Sequence, residues 1–138
     1  MTNSNLNEWR GCPIRYASSV FGDKWNMMIL RDLMFKGRNY YGDFLDAGEG
    51  ISTNILADRL AKLEQNGIIS KNTDPIKRSK KYYRLTNKGL ELLPIMLKII
   101  EWSQKYDEKT EVPDQFIHDL KTDPVQLQKR LLNDLSYD

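Results

Sequence analysis

The sequence predicts a mainly α-helical domain bearing one small β-hairpin, an α+β fold in which helices dominate, and three observations predict it. Up to residue 66, apolar residues recur at spacings of three and four in short blocks separated by Gly, Asp and Ser, the pattern of short amphipathic helices with their caps. Between 68 and 85, Ile and Tyr gather on either side of a Pro-containing segment, the pattern of two strands and a turn. Helical spacing resumes from 87 to 106, long for so small a domain.

Taken in order, Pro13 suits the first turn of a helix over 13–20, because its missing N–H would be unpaired there anyway, and Gly22 ends it. Asp23 caps a second helix in which Trp25, Met28, Ile29 and Leu33 share a face, and it stops near Gly37. A short third helix over 41–46 groups Tyr41, Phe44 and Leu45 before the turn residues Gly48 and Gly50. Ser52 caps a fourth, 52–66, whose Leu56, Leu60 and Leu63 form one apolar stripe, with Gly67 as the left-handed residue after its end. Strands over 68–73 and 81–85 flank a loop around 75–79. Thr86 or Asn87 starts the long helix, with Leu90, Leu93, Leu97, Ile100 and Trp102 available for packing and Pro94 set to bend it. Two further amphipathic segments, 113–121 and 124–135, begin at prolines.

The 138 residues, 40% of them hydrophobic, suffice for one domain with a core and exclude two large ones. The expected organisation is an N-terminal arm over 1–11, a main domain over 12–107 and an acidic helical extension over 108–138. The longest apolar stretch, 90–100, is broken by Glu91, Pro94 and Lys98, and the polar start, 1–8, does not resemble a secretory signal. A cytoplasmic protein without a membrane segment is expected. One cysteine, Cys12, and one histidine, His118, exclude an internal disulfide and a Cys/His zinc site. No cofactor, metal or catalytic residue is assigned, since Cys12 with a distant histidine is the sole nucleophile and base pair to consider.

Charge is distributed unevenly. Residues 24–88 hold 13 Lys and Arg against seven Asp and Glu, whereas 107–138 hold four against eight. The segment 71–84 contains six basic residues and Asp74 as its one acid, a cluster that suits a polyanion. Three helices, a basic hairpin and a following helix are the parts of a winged helix-turn-helix, with helix 52–66 as the groove-reading helix and 74–81 as the wing. With the leucine stripe turned inward, Asn54, Asp58, Lys62 and Gln65 face outward. Ser52, Thr53 and Asn54 stand at the helix start, where hydroxyl and amide groups meet base edges and free N–H groups attract phosphate. Arg59 and Lys62 are further candidate DNA contacts, and Asp58 either accepts from cytosine or orients one of them. In the wing, Lys77, Arg78, Lys80 and Lys81 are candidate phosphate contacts. A winged helix serving only protein contacts is the rival reading.

These residues also resemble a known family. Cys12 and Pro13, the run Gly22, Asp23, Lys24 and Trp25, and then Ile29, Leu30, Arg31 and Leu33 are similar to the opening signature of the HxlR family of bacterial transcription regulators. Gly50, Ile51 and Ser52, then Glu64 and Gly67, then Tyr83, Leu85, Thr86, Gly89, Pro94 and Trp102 continue the resemblance over about 12–106. It implies a winged-helix homodimer, built by the first and last helices of that span, on a double-stranded DNA operator with two half-sites. Tyr40 and Tyr41 stand where the family often has Arg and Phe, which passes the phosphate contact to Arg38. Arg78, Ser79, Lys80 and Lys81 stand where the wing commonly carries two prolines, implying a more flexible and more cationic wing.

Trp25, Trp102 and the other aromatics are expected in the core, with Met27, Met28 and Met34 as packing residues. His118 is assigned no role. Cys12 has two readings. It is a small buried hydrophobe, or, standing at a helix start where aligned amide dipoles favour an anion, a redox-sensing thiol. Several members of the resembled family use a cysteine at this place to sense electrophiles or oxidants, and the implied inducer is a small molecule of that kind.

Overall fold

Most of the helices begin at a side-chain cap or with a proline in the first turn in the computed structural model, which describes residues 10–136. Most of the expected arm, residues 1–9, lies outside the described residues. Helix α1, Pro13–Phe21, opens on its proline behind Cys12. Helix α2, Lys24–Phe35, is capped by Asp23, whose carboxylate accepts from the Trp25 and Asn26 N–H groups. Helix α3, Tyr41–Leu45, is preceded by Asn39 and Tyr40, whose N–H groups donate to the Asp43 carboxylate. Helix α4, Thr53–Gln65, is capped by the Ser52 hydroxyl, which accepts from the Ile55 N–H. It ends at Asn66 and turns through Gly67, whose φ of 73° is the left-handed value the sequence predicts there.

Strands β1, Ile69–Thr73, and β2, Lys81–Leu85, pair antiparallel with Ile69 opposite Leu85 and Thr73 opposite Lys81. A bridge between Tyr40 and Tyr82 ties the segment before α3 to the outer side of β2. This is the winged helix-turn-helix arrangement. Leu30 and Leu33 of α2, Leu56 and Leu63 of α4, and Ile68 and Ile69 at the hairpin meet as fully buried side chains, each contributing roughly 1.5–3 kcal/mol through removal from water.

The expected single helix over 87–106 is two. Helix α5, Asn87–Leu90, stops, and α6, Leu93–Tyr106, restarts with Pro94 in its first turn. The proline has no N–H for the Leu90 carbonyl and its ring would collide with that carbonyl, so it interrupts the helix where a bend was expected. The Leu92 N–H turns back to the Gly89 carbonyl instead. Gly89 itself is pressed against β1, where a Cβ would lie 2.2 Å from the Ile68 carbonyl oxygen.

Trp102 is not in the core. Leu93, Met96 and Leu97 are the buried residues of α6, and Trp102, nine positions beyond Leu93, points about 180° away at 100° per residue. It is 66% exposed beside Tyr106, 64% exposed, their rings 5.5 Å apart. Trp25 is half-buried and Met34 buried.

As far as it is described, to residue 136, the expected extension over 108–138 folds back onto the same core. Helices α7, Asp114–Thr122, and α8, Pro124–Asp134, bury Leu120 and Leu127, and Leu135 after α8 is buried with them. Phe116 of α7 packs edge-on against Phe35 at the end of α2, with centroids 6.0 Å apart.

Candidate nucleic-acid interface

Helix α4 lies with Leu56, Leu60 and Leu63 inward and its polar residues outward, as its spacing predicts. At its start Ser52, Thr53 and Asn54 are exposed. The Ser52 hydroxyl is committed as acceptor to the cap and keeps its proton to donate. The side chains of Thr53 and Asn54 make no hydrogen bond with other described residues, so a hydroxyl and an amide stand free at the positive end of a helix.

The cations of α4 are held by carboxylates, and Asp58 orients both of them, one of its two expected roles. Arg59 donates from Nε and Nη2 to the two oxygens of Asp23 at 3.0 and 3.2 Å, and from Nη1 to Asp58 Oδ2 at 2.6 Å. Each of its three nitrogens thus donates to a carboxylate, and it braces the middle of α4 against the cap of α2. Lys62 Nζ lies 3.3 Å from the same Asp58 oxygen, so Asp58 orients both basic neighbours. The Arg59 bond holds the Asp23 carboxyl below the usual carboxylate range, and the Lys62 and Arg59 bonds do the same for Asp58. Arg38 is likewise engaged: its Nη1 donates to the buried Asp32 at 2.9 Å. Asp32 also accepts from Arg31, which reaches Glu49 in the turn before α4 at 2.8 Å. Arg38 and Arg59 thus secure the frame that presents α4.

The wing turn is held by a set of hydrogen bonds. Asp74 Oδ1 accepts from the Ile76 and Lys77 N–H groups at 2.9 and 2.8 Å, and its Oδ2 accepts from the Tyr40 hydroxyl at 2.8 Å. Backbone bonds from Asp74 to Lys80 and from Lys80 to Lys77 close the turn. Those N–H donors and the hydroxyl lower the Asp74 pKa, led by Lys77, while Asp74 raises that of Tyr40. Lys80 Nζ sits 4.6 Å from the Tyr40 ring centroid, and Lys81 Nζ donates to Thr73 and to the Arg78 carbonyl. The side chains of Lys77 and Arg78 have no partner among the described residues, and Ile76 between Asp74 and them is 90% exposed. Tyr40 and Asp74 together hold the wing turn, a pairing that no spacing in the sequence indicates. A tyrosine standing in place of an arginine was the available signal for Tyr40.

Cys12 is the N-cap of α1, half-buried, with no side-chain bond to the helix. In the same helix the Tyr16 hydroxyl accepts from Lys88 Nζ at 3.0 Å, and that ammonium also donates to the Asn66 carbonyl at the end of α4, at 2.8 Å. Helix α1 is therefore linked through one lysine to the end of α4. His118 is exposed on α7. Among the described residues no group of three or more His, Cys, Asp and Glu could hold a metal ion, and no helix is long and apolar enough to cross a membrane.

Comparison with known proteins agrees with this geometry. The family model described as HxlR-like helix-turn-helix matches residues 20–111. An uncharacterized HTH-type transcriptional regulator of Synechocystis sp. is 38% identical over 86 residues, 62% of this chain and 63% of that protein, so the match spans just under two thirds of that relative's length. The HTH-type transcriptional regulator YodB of Bacillus subtilis is 33% identical over 98 residues, 70% of this chain and 87% of that one. Its reduced form superposes with a TM-score of 0.59 at 31% identity, over 74% of this chain and all of that one. The redox regulator HypR in its oxidized form gives a TM-score of 0.61 at 27% identity, over 73% of this chain and all of that one.

Proposed function

Because the chain belongs to the HxlR-like helix-turn-helix family of transcriptional regulators, which are not enzymes and whose fold implies DNA binding, we propose that it works in the cytoplasm as a homodimer reading a two-half-site operator. The observation that carries this reading is the pairing of two polar side chains, Thr53 and Asn54, at the start of α4 with the cations Lys77 and Arg78 on the braced wing, all four without a side-chain partner among the described residues. The first pair suits base edges in a major groove and the second suits phosphates. Ser52, Lys62, Lys80 and Lys81 border these and contribute further contacts. Arg38 and Arg59 act on DNA through the positions they hold.

Dimerisation is supported by the exposed stripe on α6 formed by Ile95, Trp102 and Tyr106, together with Ile14 and Tyr16 on α1. A regulator with two such surfaces meets half-sites about one helical turn apart. Control by Cys12 is supported by its place at the start of α1 and by the Tyr16–Lys88–Asn66 link from that helix to α4. With one cysteine in the chain, oxidation has two products, a disulfide to the partner's thiol or a mixed disulfide with a small thiol.

The test is to select duplexes from random sequence with the full chain and compare the winner with random DNA. Thr53→Ala and Asn54→Ala should each lose about 1–3 kcal/mol on the selected site and little on random DNA. Equal losses on both would reduce these residues to positioning contacts, and absence of salt-sensitive retention on any DNA would favour a protein-contact module. Treatment with diamide should weaken operator binding in the wild type and leave Cys12→Ser unchanged; equal behaviour removes the thiol from control.

A further inference from the structure

A cavity of about 570 Å³ lies between the end of α2, the middle of α6 and the folded-back tail, within the size range of sites for drug-sized ligands. Its floor is apolar: Leu33, Met34 and Phe35 from α2, Ile100 from α6, and Phe116 and Leu131 from α7 and α8. The last two come from beyond residue 111, where the match to the family model ends, so this chain's own tail builds a wall of the cavity.

The rim carries the selectivity. Arg31 reaches it, but each of its three nitrogens donates to a carboxylate, at Asp32 or at Glu49. What remains at the rim without an ion-pair partner among the described residues is one ammonium, Lys36, and two carboxylates, Glu111 and Asp134. The unmatched charge is negative. It stands beside the edge-to-face rings of Phe35 and Phe116, whose faces attract a cation. We propose that this cavity is an effector site for a lipophilic organic cation, its apolar body between α2 and the tail and its charge toward Glu111 and Asp134.

Occupancy has a route to the wing. Asn39 lines the cavity, and its carbonyl accepts from the Tyr83 N–H at 2.8 Å while its Nδ2 donates to the Tyr83 carbonyl at 3.3 Å. The next residue, Tyr40, bridges to Tyr82 and holds Asp74 in the wing turn. A ligand pressing on Asn39 therefore shifts the strand that carries the wing. This coupling rests on the DNA-binding reading above, whereas the binding site does not.

The full chain is titrated calorimetrically with tetraphenylphosphonium and, separately, with tetraphenylborate, an anion of nearly the same shape. The cation should bind at one per chain and more tightly than the anion. In the exposed double variant Glu111→Gln/Asp134→Asn, with its unchanged melting confirmed, cation affinity should fall about tenfold, the scale of two partly exposed charge contacts. An anion that binds as tightly, or a variant with unchanged cation affinity, overturns the site. In the second arm, saturating tetraphenylphosphonium should change affinity for the selected duplex at least threefold relative to the same concentration of tetramethylammonium. Indifferent DNA affinity overturns the coupling. A chain that binds the cation through these carboxylates and binds no DNA upholds the site and overturns the functional reading.

Discussion

Replacing Arg59 with Met, which keeps the apolar stem and removes the guanidinium, separates two roles for a basic residue on a groove-reading helix. In the structure that fork makes two bonds to Asp23, with side-chain exposures of 25% for Arg59 and 37% for Asp23. An exposed ion pair is worth about 0.2–1 kcal/mol, and a two-pronged one reaches the top of that range after the discount for solvent screening. Arg59→Met should therefore cost about 1 kcal/mol, a fall of roughly 3–5 °C in melting temperature for a chain of this size. Asp23→Ala loses the same pair and also the cap of α2, about 1 kcal/mol more. The double variant should then lose about 2 kcal/mol rather than 3, a coupling near 1 kcal/mol. Thermal unfolding of the four proteins at pH 7 measures it, and salt titration of DNA binding by Arg59→Met completes the test. The salt slope should stay at the wild-type value, because the guanidinium faces carboxylates and releases no counterion from DNA. Additive losses with a slope reduced by about one unit would refute the brace and return Arg59 to the phosphates.

Three further outcomes follow from other contacts. Gly89→Ala places a methyl 2.2 Å from the Ile68 carbonyl oxygen, so its urea midpoint should drop by the equivalent of roughly 1–3 kcal/mol; an unchanged midpoint would mean α5 and β1 separate freely. Asp74 has its pKa lowered in the fold by the Lys77 N–H first, then by Tyr40 and Ile76. Its bracing is complete above the ordinary carboxylate value near pH 4 and is lost as pH falls through the lower folded value. Amide exchange at Ile76 and Lys77, corrected for intrinsic rates, should stay slow at pH 5 and rise in strong acid, and Asp74→Ala should show the fast exchange already at pH 5. Trp102→Glu puts a charge into the exposed stripe of α6 and should sediment as a monomer at micromolar concentration, whereas wild-type sedimentation would contradict the assigned dimer face.

What the sequence made legible was local. The stripe Leu56, Leu60 and Leu63, the cap Ser52 and the left-handed Gly67 are all decided within one helix, and the structure places them as read. The hairpin was legible for the same reason, since Ile- and Tyr-rich runs on either side of a turn pair with each other. What escaped depends on partners far apart in the chain. Arg59 and Asp23 are 36 positions apart, and Tyr40 and Asp74 are 34 apart, so no spacing rule links them. A basic residue on a polar helix face reads as a DNA contact until its carboxylate is seen. Trp102 was misplaced because an aromatic at helical spacing does not reveal which neighbour covers it, and α6 turns Leu93, Met96 and Leu97 to the core instead. The tail's amphipathic segments were legible as helices, but their docking against Phe35 was not.

The central claim is that α4 and the wing together hold DNA, α4 by its bases and the wing by its phosphates. The most direct measurement is the salt dependence of binding to a selected duplex and to a random one, for the wild type and for Lys77→Ala/Arg78→Ala. The double variant should bind both duplexes more weakly by the same factor and lose about two units of slope per subunit, with the preference for the selected site retained. An unchanged slope would take the wing off the DNA and contradict the account.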